Sequence, residues 1–313
     1  MLTIFTTPKP FTNPHINLIQ RNAIQSWLQM EADVQVLVIG QEAGLAEACQ
    51  ALQESVPGKL RHLPDVARNI QGTPLVSSIF EMARQAAGPQ SLLAYVNADV
   101  ILLPDFLQAA AQVAGQAEKF LIVGQRWDLD VQQPIDFSPG WQARLQEDVR
   151  QRGRLHPPGG SDYFIFPSQC FTAMPAFAIG RAGWDNWMFF HGRQQGWPVI
   201  DATQAIQVIH QDHDYSHLPN GQPHYRLPET TENVRLAGGR RTIFTLADAN
   251  YQLKDKRIQP IPRRGAGLWR EIETLPLRRW KSIPLAELTF AIFHPVKAWR
   301  EWRAKISWKL KHL

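Results

Sequence analysis

Cysteine is nearly missing from this chain of 313 residues: Cys49 and Cys170 are the only two. They form neither a disulfide framework nor a metal-ligand spacing, so a reducing cytosol is the expected compartment. No apolar run approaches the ~18 residues of a membrane-spanning helix, and no internal repeat is visible. The start, Met1-Leu2-Thr3-Ile4-Phe5, lacks the basic residues and the long apolar stretch of a signal peptide, and reads as a first strand. Strong charge of one sign is also lacking. The formal net charge is +5, small enough that its location matters more than its size. Hydrophobic residues make up 44%, so a sizeable core is expected and disorder is not the default. The length suits one large domain, or one domain with an appendage.

The chain is organised around Leu92-Leu93-Ala94-Tyr95-Val96-Asn97-Ala98-Asp99-Val100, with Ile101-Leu102-Leu103 behind it. An apolar run of this kind predicts a central strand buried on both faces. A carboxylate at the end of such a strand is costly to bury unless it is paired or holds a cation. In open α/β sheets, ligands bind at the carboxyl ends of strands. Asn97 and Asp99 lie two apart, so in extended chain they point to one side. They could then share a divalent cation, or one could take the cation and the other a sugar hydroxyl. The plainer alternative is that Asp99 caps the next turn.

Strands and helices alternate through residue 123. Leu2 to Phe5 is a strand, with Thr6-Thr7-Pro8-Lys9-Pro10 as its exit loop. Ile16, Ile19, Ala23, Ile24, Trp27 and Leu28 then fall on one helical face. Val34–Ile39 is a second buried strand, residues 44–54 a helix, and Leu60–Leu63 a short strand. Thr73-Pro74 reads as a helix start, with a hydroxyl at the cap and proline at the first helical position. A helix from about Asp105 to Gln116 and a strand Phe120–Val123 follow. The alternation predicts a mostly parallel sheet flanked by helices. Beyond Gly124 the pattern weakens. A helix around Trp141, Leu145 and Val149, a strand Tyr163–Phe166, a helix Trp184–Gln195 and a strand Ala205–Ile209 are expected. The composition shifts near Gln259-Pro260-Ile261-Pro262, which divides the chain into a domain over 1–258 and a tail over 259–313.

This ordered set of features resembles the GT-A fold glycosyltransferases, in particular the family 2-like nucleotide-sugar transferases, over roughly residues 2–217. The features are the Thr-Thr-Pro exit of the first strand, a second strand ending near Gln41-Glu42, and Arg68-Asn69-Ile70-Gln71-Gly72 before a helix. They continue with Asn97-Ala98-Asp99 at the family's DxD position, then Gly159-Gly160-Ser161-Asp162, then Trp184-Asp185-Asn186-Trp187, and last His210-Gln211-Asp212-His213. The resemblance implies a nucleotide-sugar donor bound by Thr6, Glu42, Arg68, Asn97, Asp99, Gly160 and Asp162. It implies a divalent cation, Mn or Mg, on Asp99 and His213, with His210 as second choice for the histidine. It implies Asp185 as the catalytic carboxylate. Asn97 departs from the family, because it replaces the first Asp and removes one negative charge from the metal site.

Glycosyl transfer needs charge stabilisation on the leaving diphosphate and a base for the acceptor hydroxyl. A divalent cation supplies the first, and a carboxylate within hydrogen-bond reach the second. Each candidate has a plainer reading. Asp185 could simply cap a helix, and Trp184 and Trp187 could be core rather than a stacking surface for sugar. His210, His213 and His217, with Asp212 and Asp214, could form a zinc site, lend one ligand to a catalytic metal, or be a satisfied loop cluster. Glu42 could be a solvated acid, Arg68 a surface pair, and Gly159-Gly160 a turn. Two rivals to the transferase remain. A sugar nucleotidyltransferase would carry a glycine- and basic-rich phosphate loop after the first strand, which Thr6–Pro10 does not supply. A non-catalytic sugar-nucleotide-binding protein of the same fold would accommodate Asn97.

The tail is basic and rich in tryptophan. Between residues 266 and 313 it carries Trp269, Trp280, Trp299, Trp302 and Trp308 among many Lys and Arg. Trp299, Trp302 and Ile306 share a helical face. Tryptophan and cations on an amphipathic helix suit the interface of an anionic membrane; the alternative is a helix packed on the domain. The expected partners are a nucleotide sugar, a glycan or lipid-linked acceptor and an anionic membrane surface, with cytoplasmic localisation and peripheral membrane contact. Nucleic acid is not expected, because the basic residues form no binding motif.

Overall fold

The computed structural model describes residues 1–30, 33–213 and 227–311. Among them, β1 (Leu2–Thr6) leads through α1 (Pro14–Leu28), β2 (Val34–Ile39), α2 (Leu45–Ser55), β3 (Leu60–Leu63) and α3 (Val76–Ala87) to β4 (Leu92–Val96). Then follow β5 (Val100–Ile101), α4 (Asp105–Ala114), β6 (Leu121–Val123), β7 (Arg126–Leu129), α5 (Trp141–Arg152), β8 (Arg154–Leu155) and β9 (Tyr163–Pro167). After these come α6 (Trp184–Gln194), β10 (Val199–Asp201) and β11 (Val208–Gln211). The last part holds α7 (Pro228–Leu236), the hairpin β12 (Tyr251–Lys254) and β13 (Arg257–Pro260), and the helices α8 (Ala266–Arg279), α9 (Ile283–Phe293) and α10 (Pro295–Lys311).

The main sheet has nine described strands in the order β13-β12-β10-β6-β9-β4-β1-β2-β3. Pairing is parallel except where β9 lies between β4 and β6 and where β13 closes the edge on β12. This is the helix-flanked, mostly parallel α/β architecture expected from the alternation of strands and helices. Its strands are apolar runs because both faces are covered. One core packs α1, α2 and α4 on one face, and an aromatic-rich core packs α3 and α6 on the other. A small sheet, β5-β11-β7-β8, sits beside it. The chain runs from β1 outward to β2 and β3, then returns to β4 on the other side of β1. That reversal makes the carboxyl ends of β1 and β4 a topological switch point, where an α/β sheet opens a crevice.

Local chemistry accounts for the elements that frame this switch point. Asn13 caps α1 by accepting from the His15 and Ile16 N–H groups, and Pro14 occupies the first helical position. The face predicted for this helix is buried, and Trp27 Nε1 donates to the Val100 carbonyl at 2.9 Å, pinning the segment beyond Asp99.

Three expectations are corrected. The focal run is not one strand: β4 stops at Val96, and the Val100 N–H donates back to the Asn97 carbonyl at 3.1 Å in a turn. The chain re-enters strand as β5, in the small sheet. Thr73-Pro74 does not begin α3, because Pro74 and Leu75 are held extended by bridges to Arg68 and Ala178, and the helix starts at Val76. The strand expected at Ala205–Ile209 is displaced to Val208–Gln211, where it pairs with β5 and β7.

The tail is helical. Helix α8 buries Leu277 in the aromatic-rich core and packs on α6. Glu271 on α8 meets three guanidinium groups: Arg193 of α6 at 2.9 Å, Arg278 at 2.6 Å and Arg263 at 3.3 Å. No described helix is long and apolar enough to cross a membrane.

Candidate functional site

At the carboxyl end of β4 the turn sends Asn97 and Asp99 apart, which corrects the expectation that they share one side. The Asn97 side-chain amide donates to Asp162 Oδ1 at 2.7 Å, and its backbone N–H donates to the Asp162 carbonyl at 2.8 Å. Arg126 holds Asp162 Oδ2 at 2.7 Å and Asp128 Oδ1 at 2.8 Å. Asp128 in turn meets His156 Nδ1 at 2.7 Å and His210 Nδ1 at 3.3 Å. Both carboxylate oxygens of Asp162 are thus engaged inside the protein. A Cβ at Gly160 would fit in ordinary contact with His156 and Arg126.

Asp99 faces the other way. Its Oδ2 lies 3.3 Å from Lys9 Nζ and 3.1 Å from His213 Nε2, and Lys9 Nζ lies 2.9 Å from that same ring nitrogen. Its Oδ1 is buried and has no hydrogen-bond partner among the described residues. Burial raises the Asp99 carboxyl, but Lys9, His213 and His210 outweigh that and hold it well below the ordinary carboxylate range. Burial likewise pushes the His210 imidazole down, and the Asp128 hydrogen bond, with the charges of Asp99 and Asp162, brings it above its ordinary value.

Asp99, His210 and His213 each offer a ligand atom within 4.8 Å of the others, and Asp128, His210 and Asp212 do the same. The first set could hold a divalent cation with Lys9 Nζ moved aside, since Nζ lies 3.3 Å from Asp99 Oδ2 and 2.9 Å from His213 Nε2. Imidazole ligands suit Mn better than the all-oxygen preference of Mg. His217 and Asp214 lie outside the described residues.

Of the remaining donor-binding candidates, Thr6 sits at the carboxyl end of β1, where its hydroxyl and that of Thr7 are buried with no hydrogen-bond partner among the described residues. Glu42 and Arg68 are brought together, with Arg68 Nη2 donating to Glu42 Oε1 at 2.9 Å. Asp185 is the second residue of α6, and its Oδ1 accepts the Gly183 N–H at 3.1 Å. Burial raises the Tyr95 phenol far above its usual range, and the charges of Asp99, Asp162 and Asp185 add to the effect. Trp184 and Trp187 are core: both are buried, and Trp184 meets the Tyr95 and Phe164 rings edge-on at 5.0 and 5.4 Å.

Lys9, Arg126, Asp128 and His156 were not among the candidates read from sequence. Arg126 and Asp128 alternate on β7, which places both on one face, but their partners His156, Asp162 and His210 lie far along the chain. Lys9 carried no signal beyond its place in the exit loop.

Fold and site together describe a mostly parallel α/β protein with a group of possible cation ligands, Asp99, His210 and His213, near the carboxyl end of β4. No protein-family model matches the sequence, and no curated protein matches it. The chain is similar in structure to glycosyltransferases. One is the mannosyltransferase PcManGT from Pyrobaculum calidifontis in complex with GDP-Man and Mn2+, with 13% identity, 69% of this chain and 58% of that chain covered, and a TM-score of 0.45. Another is GalNAc-T7 with UDP, GalNAc and Mn2+, with 12% identity, 76% and 48% covered, and a TM-score of 0.49. It is also similar to 4-diphosphocytidyl-2C-methyl-D-erythritol synthase, with 11% identity, 75% and 97% covered, and a TM-score of 0.37. The chain spans 58% of the length of that mannosyltransferase and 48% of GalNAc-T7.

Proposed function

We propose that this protein is a glycosyltransferase that moves a sugar from a nucleotide donor to a glycan or lipid-linked acceptor. The observation that carries this reading is the meeting of Lys9, Asp99 and His213 at the carboxyl end of β4. Thr6 and the Glu42–Arg68 pair border the β1 and β2 ends and would contact the nucleotide. Asp99, His213 and His210 are the residues that would hold a divalent cation once Lys9 moves aside, and the cation would then supply charge to the leaving diphosphate. The Asp185 carboxylate would accept the proton of the acceptor hydroxyl as its oxygen bonds to the sugar carbon. The bond from that carbon to the diphosphate oxygen breaks, and its electron pair leaves with the diphosphate. Asp162, bound on both oxygens, would act by holding Asn97 and Arg126 in place.

A membrane surface would bring a lipid-linked acceptor near. Trp269, Trp280, Trp299 and Trp302 are each more than half exposed on the tail helices, alongside Leu288, Ile292 and Val296. Arg and Lys residues interleave with them, so an anionic bilayer would match both features at once.

The test is a screen of nucleotide sugars by thermal shift, with and without manganese, followed by donor hydrolysis without acceptor. A donor-specific shift with slow hydrolysis supports the transferase. A shift without hydrolysis or transfer to any acceptor would favour a binding protein, and release of pyrophosphate from a nucleoside triphosphate would favour a nucleotidyltransferase.

A further inference from the structure

Lys9 lies in the exit loop of β1 between Pro8 and Pro10. Its backbone is held at both ends by one side chain: its N–H donates to Gln20 Oε1 at 2.6 Å, and its carbonyl accepts from Gln20 Nε2 at 3.0 Å. Gln20 is itself buried on α1. The lysine stem is therefore launched from a fixed point toward the crevice, with 30% of its side chain exposed there.

Its ammonium closes a triangle. Nζ is 2.9 Å from His213 Nε2 and 3.3 Å from Asp99 Oδ2, and those two atoms are 3.1 Å apart. An ammonium has only protons to give, and Nζ stands within reach of both Asp99 Oδ2 and His213 Nε2, the positive group beside the Asp99 carboxylate. A divalent ion bound to the same two atoms at ~2.1 Å on the Lys9 side would overlap Nζ. The charges match one ammonium better than a divalent ion. Asn97 is neutral and turned away to Asp162, so Asp99 supplies one negative charge here.

We propose that the Lys9 ammonium is the resident cation of this site: it holds the seat between Asp99 and His213 and meets the donor diphosphate, so nucleoside diphosphates bind without a metal. The inference rests on the nucleotide-sugar reading. A metal enters the seat only when Lys9 swings out, and removing the lysine charge opens the site to Mn2+.

The test uses the full chain and its Lys9→Met, Lys9→Arg and Asp99→Asn variants, each checked for an unchanged thermal midpoint. Mn2+ binding is titrated by electron paramagnetic resonance without nucleotide. Binding of UDP, GDP, CDP, ADP and dTDP is measured calorimetrically in EDTA and in Mn2+. The wild type is expected to bind at least one diphosphate in EDTA, Lys9→Met to weaken it tenfold or more, and Lys9→Arg to retain most of it. Lys9→Met should bind Mn2+ at least tenfold more tightly than wild type, and adding Asp99→Asn should abolish that gain. Diphosphate binding that needs Mn2+ in the wild type, with Mn2+ affinity unchanged in Lys9→Met, overturns the inference and leaves the nucleotide-sugar reading standing. Failure of every diphosphate in both conditions overturns that reading and the inference with it.

Discussion

The side-chain amide of Asn97 donates to Asp162 Oδ1 at 2.7 Å, while Arg126 holds the other oxygen of the same carboxylate at 2.7 Å. An aspartate at 97 would set two carboxylates against each other in a largely buried place, where one must take up a proton. Asn97→Asp should therefore destabilise the fold by about 1–3 kcal/mol at neutral pH. The proton uptake raises the folded-state pKa of the pair above its unfolded value. Stability should then recover as pH falls toward 5, once the shared proton is supplied. Urea denaturation at pH 7.5 and 5.5 measures this, and an equal loss at both pH values would mean that charge is not the cause.

Asp185 permits a clean separation of chemistry from structure. Its Oδ1 accepts the Gly183 N–H at 3.1 Å, and an asparagine keeps that acceptor. Asp185→Asn should leave the α6 start and donor binding intact while turnover falls by about 10²–10⁴. Steady-state kcat and KM decide it: near wild-type kcat removes Asp185 from the mechanism.

The strands of the main sheet were legible because burial on both faces writes each as an apolar block, as in Val34–Ile39 and Leu92–Val96. The order of polar residues at the strand ends was legible too. What escaped was set by partners distant in sequence. Thr73-Pro74 carries a helix-start pattern, yet Ala178 draws Leu75 into a bridge and delays the helix. Asn97 and Asp99 share a face only in extended chain, and the turn closed on the Asn97 carbonyl separates them. Nothing in a lysine between two prolines announces that it will reach an aspartate ninety residues on.

His191 on α6 gives the stability a pH dependence of its own. The ring stacks on Trp187 at 4.4 Å and lies near Phe171 and Trp197. Burial, with a smaller push from Lys281, brings its pKa down to about 4. Between that value and its ordinary 6.5 the unfolded chain binds the proton more readily. The contribution is thus complete above 6.5 and is lost as pH falls to about 4. His191→Phe should flatten that part of the curve, seen as a smaller drop in denaturation midpoint between pH 6.5 and 4. An unchanged slope would mean that other groups set the acid limb.

Glu271 is the counter-charge that keeps Arg193, Arg263 and Arg278 together where α8 meets α6. Glu271→Gln leaves three guanidinium groups without a carboxylate, one of them buried. The expected loss is about 2 kcal/mol, below the range for a fully buried pair because Glu271 keeps some solvent contact. Chemical denaturation with intrinsic tryptophan fluorescence reads it, and a loss under half that size would mean that water replaces the carboxylate easily.

The outer part of the tail should be separable from the body, while its first helix should not. Leu277 of α8 is buried with the α6 side chains, whereas α10 presents Trp299 and Trp302 more than half exposed. A chain ended after His294 should keep its thermal midpoint within a few degrees, whereas one ended after Pro262 should lose stability because α8 leaves with it. If α10 binds an anionic surface, removing it should weaken sedimentation with phosphatidylglycerol vesicles, each basic residue near the surface contributing ~1 kcal/mol. Raising salt should weaken the binding of the full chain, since the charge contribution is screened. Trp299→Ala with Trp302→Ala should lower vesicle binding at any salt, because it removes the apolar contribution. Unchanged sedimentation of the shortened chain and of the double variant would sink the membrane reading and leave the tail as a packing element alone.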